Sequence, residues 1–144
     1  QTRAAQAARE AQRVERERLD NVSVVTGKPA DPGLPKDSFD RIFLVHMYHE
    51  VTDPYPFLWR LWPTLKADGQ LIVVDRDRPT DDHGIPPRLL FCEVEAAGFE
   101  LIDFSEKPEI GGFIARFKRG LSRPEPDAIA GCVLSKRTPQ KLNK

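Results

Sequence analysis

Apolar residues change their spacing several times along the chain, and each spacing predicts an element. Over residues 4–19, Ala4, Ala8, Ala11 and Val14 recur near the helical period among Arg and Glu. This predicts a helix, ended by Asp20 and Asn21. Residues 22–26 (VSVVT) are rich in β-branched side chains and predict a short strand. The stretch 27–40 holds Pro29, Pro32, Gly33 and Pro35 and reads as a loop. Residues 42–45 (IFLV) are apolar without alternation, the pattern of a strand covered on both faces.

The strand–helix rhythm then repeats. Asp53 is placed to cap a helix with Pro54 at its first position. Leu58, Leu61 and Leu65 mark one face of that helix; Pro63 is expected to kink its last turn and Gly69 to close it. Residues 70–75 (QLIVVD) predict another buried strand, whose acidic end opens a polar loop over 76–84. Pro86 and Pro87 start a further helix, with Leu90, Val94 and Ala97 on one side and Gly98 as its stop. Residues 99–104 and 113–117 predict two more strands. Their connection is too short for a crossover, so the last strand should run antiparallel. The preceding alternation predicts a parallel sheet with helices on its faces. The pattern yields an α/β fold with a hairpin edge and names no ligand.

Composition narrows the classes without choosing one. At 144 residues, 40% hydrophobic and 31% charged, the chain is long enough for one globular domain. Lys+Arg and Asp+Glu number 22 each, which removes any electrostatic argument for nucleic acid or an anionic membrane as a partner. No apolar run is long enough to span a bilayer. Residues 119–144 hold Arg119, Arg123, Lys136, Arg137, Lys141 and Lys144 against Glu125 and Asp127, and read as a basic, poorly ordered tail. Cys92 and Cys132 have neither metal-ligand nor CxxC spacing, and a disulfide between them stays open. Residues 1–18 read like the middle of a helix, so the chain is expected to be a piece of a longer protein, with any targeting signal left open.

Four segments, in order, resemble the second half of class I S-adenosylmethionine-dependent methyltransferases. Residues 21–27 (NVSVVTG) resemble the family's third strand and its turn. Residues 34–40 (LPKDSFD) and 41–50 (RIFLVHMYHE) resemble the LPxxSFD approach and the fourth strand. Residues 65–75 (LKADGQLIVVD) resemble the LKPGGxLxxxD turn into the fifth strand, and 93–99 (EVEAAGF) the helix end before the last two strands. Each motif is short; their joint order carries the resemblance. It makes residues 1–118 a partial, N-terminally truncated methyltransferase domain and 119–144 a tail. Residues 45–50 and 83–87 also resemble bacterial methyltransferase-like proteins of unassigned substrate, some of them exported, so a cytoplasmic and an exported location both stay open.

The resemblance implies a Rossmann-like sheet of parallel strands ending in an antiparallel hairpin. The family's glycine-rich cofactor loop and ribose-binding acid would lie upstream of Gln1. The chain alone is therefore expected to expose sheet edges and an apolar face, and to bind S-adenosylmethionine weakly.

Methyl transfer from a sulfonium is chiefly a matter of alignment, and a general base is needed only if the acceptor arrives protonated. Gly27, Lys28, Ala30 and Asp31 lie where the family reads adenine. Lys28 departs from the usual acid, leaving Asp31 or the loop backbone for that role, with a plain surface loop as the alternative. His46 and Met47 end a strand at the carboxyl edge, where open α/β sheets bind ligands, and are expected to line the cofactor site. A buried histidine bonded to a carbonyl is the alternative for His46. His49, with Glu50, is the general-base candidate, set against a capping or solvated role. Tyr48, Asp75, Arg76 and His83 are expected around a polar acceptor. No metal is expected, because His46, His49, Asp75 and His83 lack a metal-binding spacing. Trp59 and Trp62 are expected to pack.

The implied function is methyl transfer from S-adenosylmethionine to an unidentified small molecule by the intact protein, with no nucleic-acid or membrane partner. A non-catalytic methyltransferase-like binding module is the alternative. A nicotinamide-dependent Rossmann oxidoreductase is opposed by the antiparallel terminal hairpin. Oligomeric state is not indicated. The central expectation is geometric: residues 42–45 and 70–75 lie side by side, with His46 and Asp75 opening onto one crevice.

Overall fold

The computed structural model describes residues 2–132 and runs α1 (Arg3–Arg16), β1 (Phe39–Val45), α2 (Pro54–Leu61), β2 (Leu65–Asp75), α3 (Pro87–Ala96), β3 (Phe99–Lys107) and β4 (Gly112–Arg119). The strands form one sheet in the order β1-β2-β4-β3. β1 and β2 are parallel, with Ile42 opposite Leu71 and Val45 opposite Val74. β4 runs antiparallel to both β2 and β3, as the short β3–β4 connection requires. The expected α/β sheet with a hairpin edge is present, and residues 42–45 and 70–75 lie side by side within it.

That register sorts the side chains by face. Ile42, Leu44, Leu71, Val73, Ala115 and Phe117 share one face and are buried. They pack with Leu58 and Leu61 of α2 and Leu90 and Val94 of α3 in a single core. At roughly 25 cal/mol per Å² of apolar surface removed from water, this face supplies most of the sheet's stabilisation. The other face carries Phe43 and Val45, 60% and 53% exposed.

Several sequence expectations are corrected here. Residues 22–26 form no strand, because no neighbouring strand offers them a backbone ladder, and Val22 and Val25 stay exposed. β1 is covered on one face only, so its apolar run does not mark two-sided burial. Asp53 sits at the N-cap of α2 without a side-chain capping bond. Gly69 lies within β2 and not at a helix end: a Cβ there would meet the Leu65 side chain at 2.7 Å and the Phe39 carbonyl at 2.9 Å. Pro63 converts the end of α2 into a 3-10 turn (Trp62–Thr64) that leads directly into β2.

The stretch expected as a poorly ordered tail is packed as far as it is described. Gly120 N donates to the Gly98 carbonyl at 2.7 Å. The Arg119 guanidinium lies 3.9 Å from the centre of the Trp62 ring, and that of Arg123 3.7 Å from Trp59. Arg123 also donates to the Trp59 carbonyl at 2.8 Å. Cys132 is disulfide-bonded to Cys92 of α3. Residues 133–144 lie outside the described residues. Among the described residues no helix is long and apolar enough to cross a membrane.

Candidate active site at the carboxyl end of β1 and β2

Because β1 and β2 are parallel, their carboxyl ends open at one rim. His46 N still donates to the Val74 carbonyl at 2.8 Å, which extends the ladder to the first residue beyond β1. The chain then turns sharply: His46 has φ 51, a left-handed conformation that non-glycine residues seldom adopt. A 3-10 turn (Tyr48–Glu50) follows. It directs Tyr48 into the core and His49 toward the end of β2.

Asp75, the last residue of β2, is fully buried, and two histidines, His49 and His46, lie against its carboxylate. His49 Nδ1 lies 3.1 Å from both Asp75 oxygens. His46 Nδ1 lies 4.0 Å from Oδ1. His83, also left-handed at φ 59, stands edge-on to His49 with ring centres 6.2 Å apart. Asp75 Oδ1 further accepts from the Arg76 backbone N–H at 2.9 Å. On the outer side, His49 Nε2 is 3.5 Å from Glu50 Oε2, whose side chain is 72% exposed. An open depression beside the pair is lined by His49, Thr52, Thr80 and Asp81.

The chemistry follows from the donor and acceptor inventory. A carboxylate only accepts, so its contact with Nδ1 places the imidazole proton there and makes Nε2 the accepting nitrogen of a ring whose side chain is 4% exposed. A histidine held this way presents a basic nitrogen in a fixed direction. A proton taken up at Nε2 would lie beside Glu50. Among the described residues no group of His, Cys, Asp and Glu is arranged to hold a metal ion.

Two of the expected acceptor contacts are corrected by burial. Tyr48 is wholly buried, its hydroxyl donating to Glu93 Oε1 at 2.9 Å, so it faces the core and not a ligand. Asp75 has no exposed surface and reaches the crevice only through His49 and His46. Arg76 is half-buried, with its carbonyl accepting from Ile85 N and Arg78 N. Met47 is half-buried and packs on the core. Sequence reasoning read His49 and Asp75 in separate roles and missed Glu93, Thr52, Thr80 and Asp81. The first link was available in principle, since parallel pairing of the two apolar runs brings the residues after them together. The others carry no periodic signal.

The loop expected to read adenine is a closed turn. Lys28 and Asp31 bond to each other through both backbones, at 2.8 and 3.1 Å, and Asp31 Oδ1 accepts from Gly33 N at 2.9 Å. The Ala30 carbonyl accepts from Arg60 of α2 at 2.8 Å. Gly27 packs closely in this turn: a Cβ there would lie 3.2 Å from the Asp31 and Pro32 carbonyl oxygens. The recorded polar bonds of this loop point inward. At the rim beside His49, Thr52 and Asp81 line the open depression, and the His46 side chain is 40% exposed.

A Rossmann-like sheet ending in an antiparallel hairpin, with a polar crevice at the carboxyl ends of its first two strands, is the architecture of class I methyltransferases. The chain belongs to that family: residues 2–73 match the methyltransferase domain model, and the family's cofactor is S-adenosylmethionine. Solved structures agree in fold. A SAM-dependent methyltransferase from Aquifex aeolicus superposes with a TM-score of 0.60 at 22% identity, covering 75% of this chain and 59% of its own. The [4+2]-cyclase SpnF gives 0.65 at 15% identity, covering 82% and 64%. The mitomycin 7-O-methyltransferase MmcR gives 0.61 at 17%, covering 79% and 39%. The chain therefore spans less than two thirds of the length of each of these three. Comparison with curated proteins finds no match.

Proposed function

We propose that this chain is the acceptor-side portion of a methyltransferase, in which His49, oriented by Asp75, takes the proton from a small-molecule hydroxyl or thiol as it is methylated. The observation that carries the reading is the 3.1 Å contact of His49 Nδ1 with both oxygens of a buried carboxylate. An amine acceptor that arrives neutral would need no such base during transfer; a hydroxyl or thiol does. S-adenosylmethionine supplies an activated methyl group when bound. The chain's own residues orient the acceptor and receive its proton. Glu50 Oε2 stands 3.5 Å from Nε2, the nitrogen that takes up the proton, and Thr52 and Asp81 line the depression beside it. His46 and His83, both left-handed, stand at this rim. The 27–31 loop is read as the adenine side, with Lys28 in place of the usual acid. MmcR, one of the structures similar in fold, is a mitomycin 7-O-methyltransferase.

The second reading is a methyltransferase-like domain that transfers no methyl group. Lys28 favours it, and so does the likeness in fold to SpnF, which is a [4+2]-cyclase. The test is incubation of the full protein containing this chain with methyl-labelled S-adenosylmethionine and a panel of phenols, alcohols, thiols and amines. Label on oxygen or sulfur is the expected outcome. Label on amines alone would overturn the role of His49, and binding without transfer would establish the second reading.

A further inference from the structure

His49 and Asp75 come from different segments, and their contact depends on where the Tyr48–Glu50 turn sits relative to β2. The β1–β2 ladder ends at His46 N, so it fixes the entrance to that turn and not the turn itself. The entrance is moreover a left-handed residue, a conformation that relaxes unless its surroundings hold it. One strong tertiary bond does hold it. The Tyr48 hydroxyl donates to Glu93 Oε1 at 2.9 Å across 45 residues, and both side chains are fully buried. Glu93 lies on α3, and α3 is itself tied to the end of β2: Ile85, just ahead of it, donates its backbone N–H to the Arg76 carbonyl at 2.8 Å. The turn bearing His49 and the strand end bearing Asp75 are thus joined a second time, through α3.

We propose that Tyr48 and Glu93 are positioning residues whose buried hydrogen bond sets the His49 ring against Asp75. The proposal rests on the reading of His49 as the proton acceptor. Neighbouring residues on a 3-10 turn project roughly a third of a turn apart. A shift of Tyr48 within the core therefore swings His49 at the rim. A phenol and a carboxyl inside an apolar core are costly to bury, and their mutual hydrogen bond offsets part of that cost, which favours the geometry that keeps it.

The test is nitrogen NMR of the His49 imidazole in this chain and in the Tyr48→Phe/Glu93→Met double variant. Removing both ends of this hydrogen bond together leaves neither end orphaned, so the core is expected to survive. The Leu71 and Val73 methyl signals report whether it does. In the parent, the Nδ1-protonated form with its proton held by Asp75 is expected. In the folded double variant, that Nδ1–H signal is expected to be lost as the ring exchanges between tautomers. Retention of the signal in a folded double variant would overturn the proposal. Glu93→Gln, which keeps an acceptor oxygen for Tyr48, is expected to retain it, and loss there would show that charge acts instead of the hydrogen bond. Should the double variant not fold, that Gln variant decides alone. Absence of the signal in the parent would overturn the His49 reading first, and the positioning role with it.

Discussion

The two faces of the sheet differ more than their sequences do. Ile42 and Leu44 alternate with Phe43 and Val45 along a single strand, and all four are apolar. The first pair is buried against α2 and α3, while the second is largely open. The open face is not wholly apolar, since Lys118–Glu100 and Arg116–Gln70 pairs lie across it at 3.4 Å each. The covered face is further secured by residues 119–132, where Arg119 and Arg123 stack on Trp62 and Trp59 and Cys132 forms the disulfide to α3. Stability in this chain is therefore expected to be one-sided. The crevice lies at the end of the secured side, where Asp75 continues the buried row of Leu71 and Val73.

Four measurements of urea unfolding sharpen or break that contrast. Phe117→Ala, on the covered face, is expected to destabilise by about 3–5 kcal/mol, because it leaves a cavity in a packed core. Replacing both Cys92 and Cys132 by Ala opens a loop closed over a separation of 40 residues. In the chain-entropy account that loosens the unfolded state by about 4 kcal/mol, and a similar loss is expected. Arg123→Ala removes one stacked guanidinium and its bond to the Trp59 carbonyl, with an expected loss of about 1–2 kcal/mol. Phe43→Ala, on the open face, is expected to change stability by no more than about 0.5 kcal/mol. An effect there as large as that of Phe117→Ala would mean that the open face is covered in solution, and the contrast would fail.

Much of the fold was legible because it rests on local pattern. The apolar runs at 42–45 and 70–75, the short β3–β4 link and the Gly98 stop each have a nearby cause. Gly98 adopts φ 101, and a Cβ there would strike the Ser122 carbonyl. What was not legible depends on partners. Residues 22–26 have strand-like side chains, but a strand exists only when another backbone lies beside it. The run at 42–45 shows that β1 is apolar and is silent on which face is covered. Tyr48 and His49 are adjacent polar residues, and the sequence does not tell which turns inward; Glu93, 45 residues away, decides it. Gly69 resembled a helix stop because Pro63 ends α2 earlier than periodicity implied. At the site, His49 and Glu50 were singled out as candidates from residue type and position, and the contact of His49 with Asp75 came from the fold. The role of Asp75 changed once its burial was seen.

The central claim is that the imidazole of His49, aimed by Asp75, receives the acceptor's proton. The most direct test is the transfer rate to a hydroxylated acceptor by the full protein carrying His49→Gln, which keeps polarity and removes the base. A fall of about 10²–10⁴-fold in kcat, with acceptor binding little changed, is the expected result. Transfer at the unaltered rate would contradict the account.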